Sequence, residues 1–270
     1  PCHKDPPPAV ESVNGARLVV NFIPPPDDPG DGGMTPPKND PCTPEVKQNS
    51  NLATAFDDKI KDSLKHDCLI KLFNSIKNLK SGNIATIISN LSGAIPSYNW
   101  TISEGTLAAK VNGLTTYKAG VASTKIDYDK LKGATDIAVI RTMIHEAIHA
   151  YLSTYFYNDL ANFSKTYPQQ LEYFLQSKSP DLNDAQHVVM AKAFIADIAS
   201  ASKAVAKSLG YNNIDDLTFE DLAWGGLTDT KAFQSLSADD QKRINDRVTA
   251  EQTNIVTNEA YPEGTKLTCH

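Results

Sequence analysis

Hydrophobic residues recur every four positions at the start of the folded part of the chain, with Lys and Asp between them. The series runs through residues 52, 56, 60, 64, 68 and 72. This period predicts an amphipathic helix. A second helical stretch covers residues 84–91, and Gly93 and Pro96 are expected to end it.

A zone rich in strand-forming residues follows these helices. Its strand-like runs cover residues 98–103, 107–111, 114–118 and 122–128. Turns at Glu104-Gly105 and Asn112-Gly113 separate the first three runs, and an Asn-Gly pair is a strong hairpin signal. The pattern predicts a small antiparallel sheet.

The second half of the chain is predicted to be helical again. Residues 136–158 are apolar almost all round, which indicates a buried helix. A short helix near 169–176, an alanine-rich helix over 184–209 that stops at Gly210, and a last helix over 238–251 follow. The order of the elements along the chain, with helices before and after a small sheet, indicates one mostly helical α+β domain.

Proline divides the chain into two regions. Twelve of the 16 prolines precede residue 45, and such a segment buries too little surface to offset its ordering entropy. We therefore expect residues 1–44 to be a stiff linker or extended leader and residues 45–270 to form the domain.

Charge and cysteine content limit the function classes. The net charge of −6 and the pI of about 5.5 argue against nucleic-acid and anionic-membrane partners, and no apolar run is long enough to span a membrane. The cysteines lack a CxxC pair, which argues against a thiolate zinc site and leaves disulfides and free thiols both open. They are Cys2, Cys42, Cys68 and Cys269. The proline-rich leader and the start at Pro1 rather than Met favour a secreted or extracellular protein.

The sequence HEAIH at 145–149 carries the clearest chemistry. His145 and His149 are four residues apart and point the same way from a helix, so one ion can bind both. Neutral imidazoles suit Zn²⁺, and Glu146 can reach an attacking water as general base. Random placement would give about 0.004 copies of such a motif in this composition. The alternative is a structural role, in which the two histidines donate hydrogen bonds to nearby carbonyl groups and bind no metal.

A catalytic zinc needs a third protein ligand and an open position. The candidate is His187, 38 residues after His149, in the first turn of a helix whose dipole favours a neutral ring. Competing ligands are Glu172 and either Glu220 or Asp221. His66 belongs to the first amphipathic helix and is expected to be structural.

At this point a family resemblance can be named. HEAIHAYL at 145–152 looks like the metal-binding helix of SprT-like zincin metallopeptidases, in which a third histidine follows the helix and a small sheet precedes it. His187, within AQHVVMAKAF, is the matching residue, although the gap is longer than in compact members. DLAWGGL at 221–227 resembles a segment of secreted bacterial zincin-like proteins that include toxin modules. The Trp224-Gly225-Gly226 part is either a turn or a pocket wall.

The resemblance implies a zincin-like fold and zinc-dependent hydrolysis of peptide bonds, with a protein or peptide substrate. Zincins align substrate beside an edge strand, for which the strand 122–128 is the candidate, and this makes Thr124 and Ile126 expected substrate contacts. The alternative is that this strand is covered. Tyr211, Tyr173 and Tyr155 are candidates for the oxyanion donor, and the alternative for each is a packing role; Tyr211 is also an expected substrate contact. We expect a monomer and leave a cognate inhibitor open. The rival hypothesis is a non-catalytic zincin-like binding module at the end of a larger secreted or surface protein.

Overall fold

The fold is described here from a computed structural model. It describes residues 60–91, 99–109, 111–118, 120–156, 165–178, 184–258 and 260–269, with side chains described at all of these except 167, 178 and 184–190. All described residues belong to one unit, Thr54–His270. The predicted leader over 1–44, the predicted domain start at residue 45, and Cys2 and Cys42 lie outside the described residues.

A four-stranded mixed sheet forms one part of the domain. Its strands are β1 (Lys61–Ser63), β2 (Asn99–Glu104), β3 (Gly113–Lys118) and β4 (Val121–Ile126). The strand order is β1-β2-β4-β3. The β1–β2 and β2–β4 pairs are parallel, and only the β3–β4 pair is antiparallel. The α+β class is therefore confirmed, whereas the predicted wholly antiparallel sheet is wrong.

The reason for the mixed sheet lies in the segment between β2 and β3. Residues 105–109 form no strand, because the carboxylate of Asp127 accepts the Leu107 N–H (2.8 Å) and the Lys130 ammonium donates to the carbonyls of Leu107 and Val111 (2.7 and 3.0 Å). The chain thus crosses over β4 before it turns back. The hairpin turn lies at Gly120, whose φ is +83°, and Asn112-Gly113 only opens β3.

Within the described residues the first predicted helix begins later than its period suggests; residues 52 and 56 of the series lie outside the described residues. Residues 61–63 form β1, and helix α1 covers only Asp67–Lys77. Glu104 explains the change, because its Oε1 accepts the backbone N–H groups of Lys65 (2.6 Å) and His66 (2.8 Å) and so fixes where the helix begins.

The other helices match the sequence periodicity more closely. They are α2 (Asn83–Ser89), α3 (Tyr128–Leu131), α4 (Asp136–Tyr155), α5 (Tyr167–Lys178), α6 (Asp184–Ser208), α7 (Asp216–Ala223), α8 (Lys231–Gln234) and α9 (Ala238–Thr253). Predicted boundaries for α2, α4, α5, α6 and α9 hold to within three residues. The short helices α3, α7 and α8 were not predicted. No helix within the described ranges is both long and apolar enough to cross a membrane.

Helix α4 is the centre of the domain. Thr135 caps its start by accepting the Ala138 N–H, and most of its side chains are buried. The helix contacts β3 and β4 of the sheet, and it also contacts α1, α2, α5, α6, α7 and α9. This central position explains why its sequence is apolar on nearly every face.

Residues 260–269, the C-terminal strap, cross the beginning of α4. The Asp136 N–H donates to the Thr265 carbonyl (2.9 Å) and the Leu267 N–H donates to the Ala134 carbonyl (2.8 Å). A disulfide between Cys68 of α1 and Cys269 secures the end of the strap. One of the disulfides left open by the sequence is therefore formed, across a separation of 201 residues.

Candidate functional site

The HEAIH motif lies in the middle of α4. The ring centroids of His145 and His149 are 5.0 Å apart, and the two planes are inclined by 62°. Two imidazoles on one tetrahedral Zn²⁺, with Zn–N bonds of about 2.0–2.1 Å, would place their centroids about 5.3 Å apart. The separation of the two ring centroids is therefore compatible with one shared ion.

Burial keeps both histidines uncharged. Each side chain keeps some accessible surface, but its ring is crowded by protein atoms. Desolvation lowers the pKa of His149 to about 4. It also lowers the pKa of His145 well below its ordinary value; repulsion from His149, when that ring is protonated, and from Arg141 adds to this, and the hydrogen bond to Gly225 opposes it. Neutral imidazole is the form that binds a metal ion.

The loop after α7 packs directly on His145. A Cβ atom at Gly226, where φ is +80°, would lie 2.4 Å from Cε1 of the His145 ring, so only glycine fits. The ring also makes a hydrogen bond to the Gly225 backbone. Such a bond fixes the tautomer of a metal-binding histidine. The Trp224-Gly225-Gly226 segment is thus a turn and also a wall of the site.

The same loop covers a buried guanidinium one turn earlier on α4. Arg141 is 7% exposed, and a Cβ atom at Gly225 would lie 2.7 Å from its Cζ atom. Two successive glycines therefore let the loop backbone approach two polar side chains of the motif helix. Trp224 anchors the loop, because its indole is buried and packs edge-on against Phe233 at 5.5 Å.

Glu146 points towards the sheet. Its Oε2 accepts a hydrogen bond from the Thr115 hydroxyl on β3 at 2.7 Å, and a Cβ atom at Gly113 would lie 2.7 Å from its Oε1. Burial raises the pKa of Glu146 to about 7, although the Thr115 hydrogen bond and the Arg141 charge oppose this rise. The carboxyl group can therefore both accept and release a proton near neutral pH.

The predicted edge strand is wrong. Thr124 and Ile126 lie on β4, which is paired with β2 on one side and with β3 on the other. Both side chains are buried, at 1% and 0% exposure. In the β3–β4 hairpin, β3 lies at the edge of the sheet beside α4. Because β4 is covered on both sides by strands, Thr124 and Ile126 do not line an open cleft.

Tyr211, one of the candidate oxyanion donors, is far from the motif. The Tyr211 hydroxyl donates to the Asp136 carboxylate and accepts the Thr265 N–H. Asp136 precedes His145 by nine residues, which is about 13 Å along a helix. Tyr211 therefore joins the C-terminal strap to the start of α4. Of the alternatives, Tyr155 packs edge-on against Phe174 at 5.0 Å, and Tyr173 lies 5.7 Å from Phe156.

Among the candidates for a third ligand, the side chains of the three carboxylates are described and that of His187 is not. Helix α6 carries His187, but its side chain lies outside the described residues. Glu172 accepts the Lys231 N–H at 2.6 Å, and the buried Asp221 forms an ion pair with Arg243 at 3.1 Å. Glu220 is exposed on α7. The carboxylates at 172 and 221 are thus engaged in holding other helices.

His66 has a different setting from the motif histidines. Its Nδ1 lies 2.6 Å from Glu104 Oε2, and its ring stacks on Tyr128 with centroids 3.6 Å apart. It therefore joins the start of α1 to the ends of β2 and β4, which agrees with the expected structural role.

A tight cluster of other potential ligands can be set aside. In the described part of the chain, Asp67, Cys68 and Cys269 are the only three such residues with ligand atoms within 4.8 Å of one another. Both sulfurs belong to the disulfide and are not thiolates. The donor set that suits Zn²⁺ is the neutral imidazole pair of α4. No known protein family, curated protein or solved structure matches the chain, so the function is inferred from this site.

Proposed function

We propose that the chain is a zinc-dependent metallopeptidase of zincin-like fold, with His145, His149 and His187 as the metal ligands and Glu146 as the general base. The observation that carries the proposal is the pair of neutral imidazoles with centroids 5.0 Å apart on one buried helix. Glu146, between them in sequence, turns to the neighbouring edge strand. The four-residue spacing is common to any pair of histidines on a helix, so the burial of two neutral rings beside a carboxylate is what favours a shared ion over a structural pair.

Different residues of the site have different roles in hydrolysis. A bound Zn²⁺ would supply Lewis-acid polarisation of the scissile carbonyl and a lower pKa for the attacking water. His145 and His149 hold that ion, and the Gly225 backbone fixes the orientation of the His145 ring. Glu146 accepts the proton of the attacking water and delivers it to the leaving amine.

Strand β3 is the proposed substrate edge. Among the described strands it pairs only with β4, so its outer backbone groups are suited to pairing with an extended peptide. Gly113 and Thr115 place this strand against Glu146. A peptide aligned along β3 would pass the catalytic carboxylate. This replaces β4, with Thr124 and Ile126, as the proposed contact strand.

The disulfide supports the proposed location outside the cytosol. Disulfides persist in oxidising compartments and are rare in reducing ones. The Cys68–Cys269 bond joins the C-terminal strap to α1, and it favours a secreted or extracellular peptidase.

Hydrolysis of an unfolded protein tests the proposal. Reduced, alkylated casein is incubated with the zinc-loaded wild-type chain, with Glu146→Gln and, as a matched control, with Glu263→Gln, an exposed residue of the C-terminal strap. We expect cleavage by the wild type and the control, and a loss of at least about 100-fold in Glu146→Gln. Equal rates in all three chains would contradict the proposal and favour the binding module.

The third ligand needs its own comparison. His187→Ala is expected to lose tight zinc binding, whereas His66→Ala, which removes a histidine outside the site, is expected to keep it. If His187→Ala keeps one zinc per chain, the role passes to Glu172 or Glu220.

A further inference from the structure

We infer that Trp100, Thr124 and Thr115 form a hydrogen-bond relay across the sheet that positions the carboxylate of Glu146. The relay crosses three strands, β2, β4 and β3, and ends at the motif helix. Its effect on catalysis rests on the proposed function, whereas the relay itself can be tested without any hydrolysis.

The distances form an unbroken chain. Trp100 Nε1 lies 2.8 Å from Thr124 Oγ1. Thr124 Oγ1 lies 2.6 Å from Thr115 Oγ1. Thr115 Oγ1 lies 2.7 Å from Glu146 Oε2. All three are within the range of good hydrogen bonds.

While Glu146 is ionised, the direction of every proton in the chain is fixed by its two ends. An indole N–H can only donate, so Thr124 accepts from Trp100, and an ionised carboxylate can only accept, so Thr115 donates to Glu146. The Thr124 hydroxyl proton is left to donate to Thr115. The groups polarise one another in the same sense, which strengthens the last bond to the carboxylate.

The strand register explains how the sequence builds this relay. Thr115 and Thr124 are direct partners in the β3–β4 pair, and Thr124 is the partner of Ile102 on β2. Trp100 lies two residues before Ile102 and therefore on the same face. Trp100 and Thr124 are at most 1% exposed. The relay thus occupies the buried face of the sheet, towards α4.

The Glu146 carboxylate is then held at one oxygen and closely confined at the other. Thr115 holds Oε2, and the missing side chain of Gly113 makes room for Oε1. Trp100 is itself held, because it packs edge-on against Phe73 at 5.4 Å. Thr115, Thr124 and Trp100 are positioning residues, since they act on the substrate only through Glu146.

A buried tryptophan and two threonines could serve packing alone, and substitutions can separate this role from the relay. Thr115→Val keeps the shape but removes the hydroxyl, and Thr115→Ser restores it. Under the relay, Thr115→Val lowers kcat on a peptide substrate by about 10-fold or more with KM and zinc content nearly unchanged, and Thr115→Ser recovers most of the rate. A kcat of Thr115→Val within twofold of the wild type would overturn the catalytic part of the inference.

A second measurement does not depend on activity. The chain has two tryptophans, so in full-length Trp224→Phe the single indole N–H resonance belongs to Trp100. We expect this resonance to shift in Thr124→Val, in Thr115→Val through the Thr124 hydroxyl, and in Glu146→Leu through both hydroxyls. Thr116→Val on the exposed face of β3 is the control and is expected to leave it in place.

The outcomes distinguish the two proposals. An indole resonance that moves as expected in a chain without peptidase activity would support the relay and contradict the proposed function. Unchanged indole resonances in Thr124→Val and Thr115→Val would overturn the relay, whatever the activity of the wild type.

Discussion

The imidazole of His145 lies directly against the backbone of Gly226, where a Cβ atom would be 2.4 Å from its Cε1 atom. The two residues come from α4 and from the turn after α7, which are 81 positions apart in the sequence. The turn can come this close only because residue 226 has no side chain and adopts a positive φ of +80°. Gly226 therefore sets the position of one proposed metal ligand.

Replacing Gly226 with Ala is expected to displace the His145 ring and weaken zinc binding by at least about 10-fold. Gly210→Ala is the matched control, because Gly210 also has a positive φ, +102°, but has open space where the Cβ would go. Both variants should lose about 1 kcal/mol of unfolding free energy from backbone strain. Zinc affinities that fall equally in the two variants would show that the ring contact is unimportant.

Gly113→Ala is expected to act on the base and leave the metal in place. Its Cβ atom would lie 2.7 Å from Oε1 of Glu146, so the carboxylate must move. We expect hydrolysis to fall at least about 10-fold while the zinc content stays the same. Gly133→Ala, which places its Cβ in open space, is the control. A fully active Gly113→Ala enzyme would contradict the placement of Glu146 beside β3.

The parts of the fold that depend on local sequence were predictable. Helix α4 has an N-cap at Thr135 and an unbroken apolar pattern, and the four-residue spacing of His145 and His149 follows from helix geometry alone. The sheet order was not predictable in this way. Parallel pairing of β2 with β4 depends on a crossover of the chain, and the hairpin at Gly120 lacks the Asn-Gly pair that drew attention to Gly113.

The surroundings of the motif were missed for a similar reason. Gly113, Thr115 and Gly226 reach the site through tertiary packing, and their sequence positions give no period or spacing to detect. The successive glycines after Trp224 were a partial signal, because adjacent glycines often mark a close approach of backbone to another group. The sequence alone did not decide whether that segment forms a turn or a pocket wall.

The disulfide is expected to contribute strongly to stability. Cys68 and Cys269 are 201 residues apart, and closing so long a loop lowers the entropy of the unfolded chain by an amount worth about 5 kcal/mol, of which about 2–5 kcal/mol is usually measured. Urea unfolding of the Cys68→Ser/Cys269→Ser double variant should show this loss. An unfolding midpoint equal to that of the wild type would contradict the proposed anchoring of the C-terminal strap.

Asp127 is expected to make stability depend on acid pH. The hydrogen bond from the Leu107 N–H, assisted by Lys130, lowers the pKa of Asp127 below its usual value, although burial opposes this. The stabilisation is thus fully present above the unfolded-state pKa of about 3.9 and is lost as pH falls through the lower folded-state pKa.

Asp127→Asn should therefore lower the unfolding free energy by about 1–2 kcal/mol at pH 7. The difference from the wild type should shrink as the pH is lowered below about 3.9. Urea unfolding of both chains across this range gives the comparison. A difference that grows towards acid pH would contradict the role given to the ionised carboxylate.

The zinc content of the purified chain tests the central claim most directly. The wild type, His149→Ala and Glu146→Gln are loaded with Zn²⁺, dialysed and measured by elemental mass spectrometry. We predict about one zinc per chain for the wild type and Glu146→Gln, and less than about a tenth of that for His149→Ala. A wild type that retains no more zinc than His149→Ala would contradict the metal site.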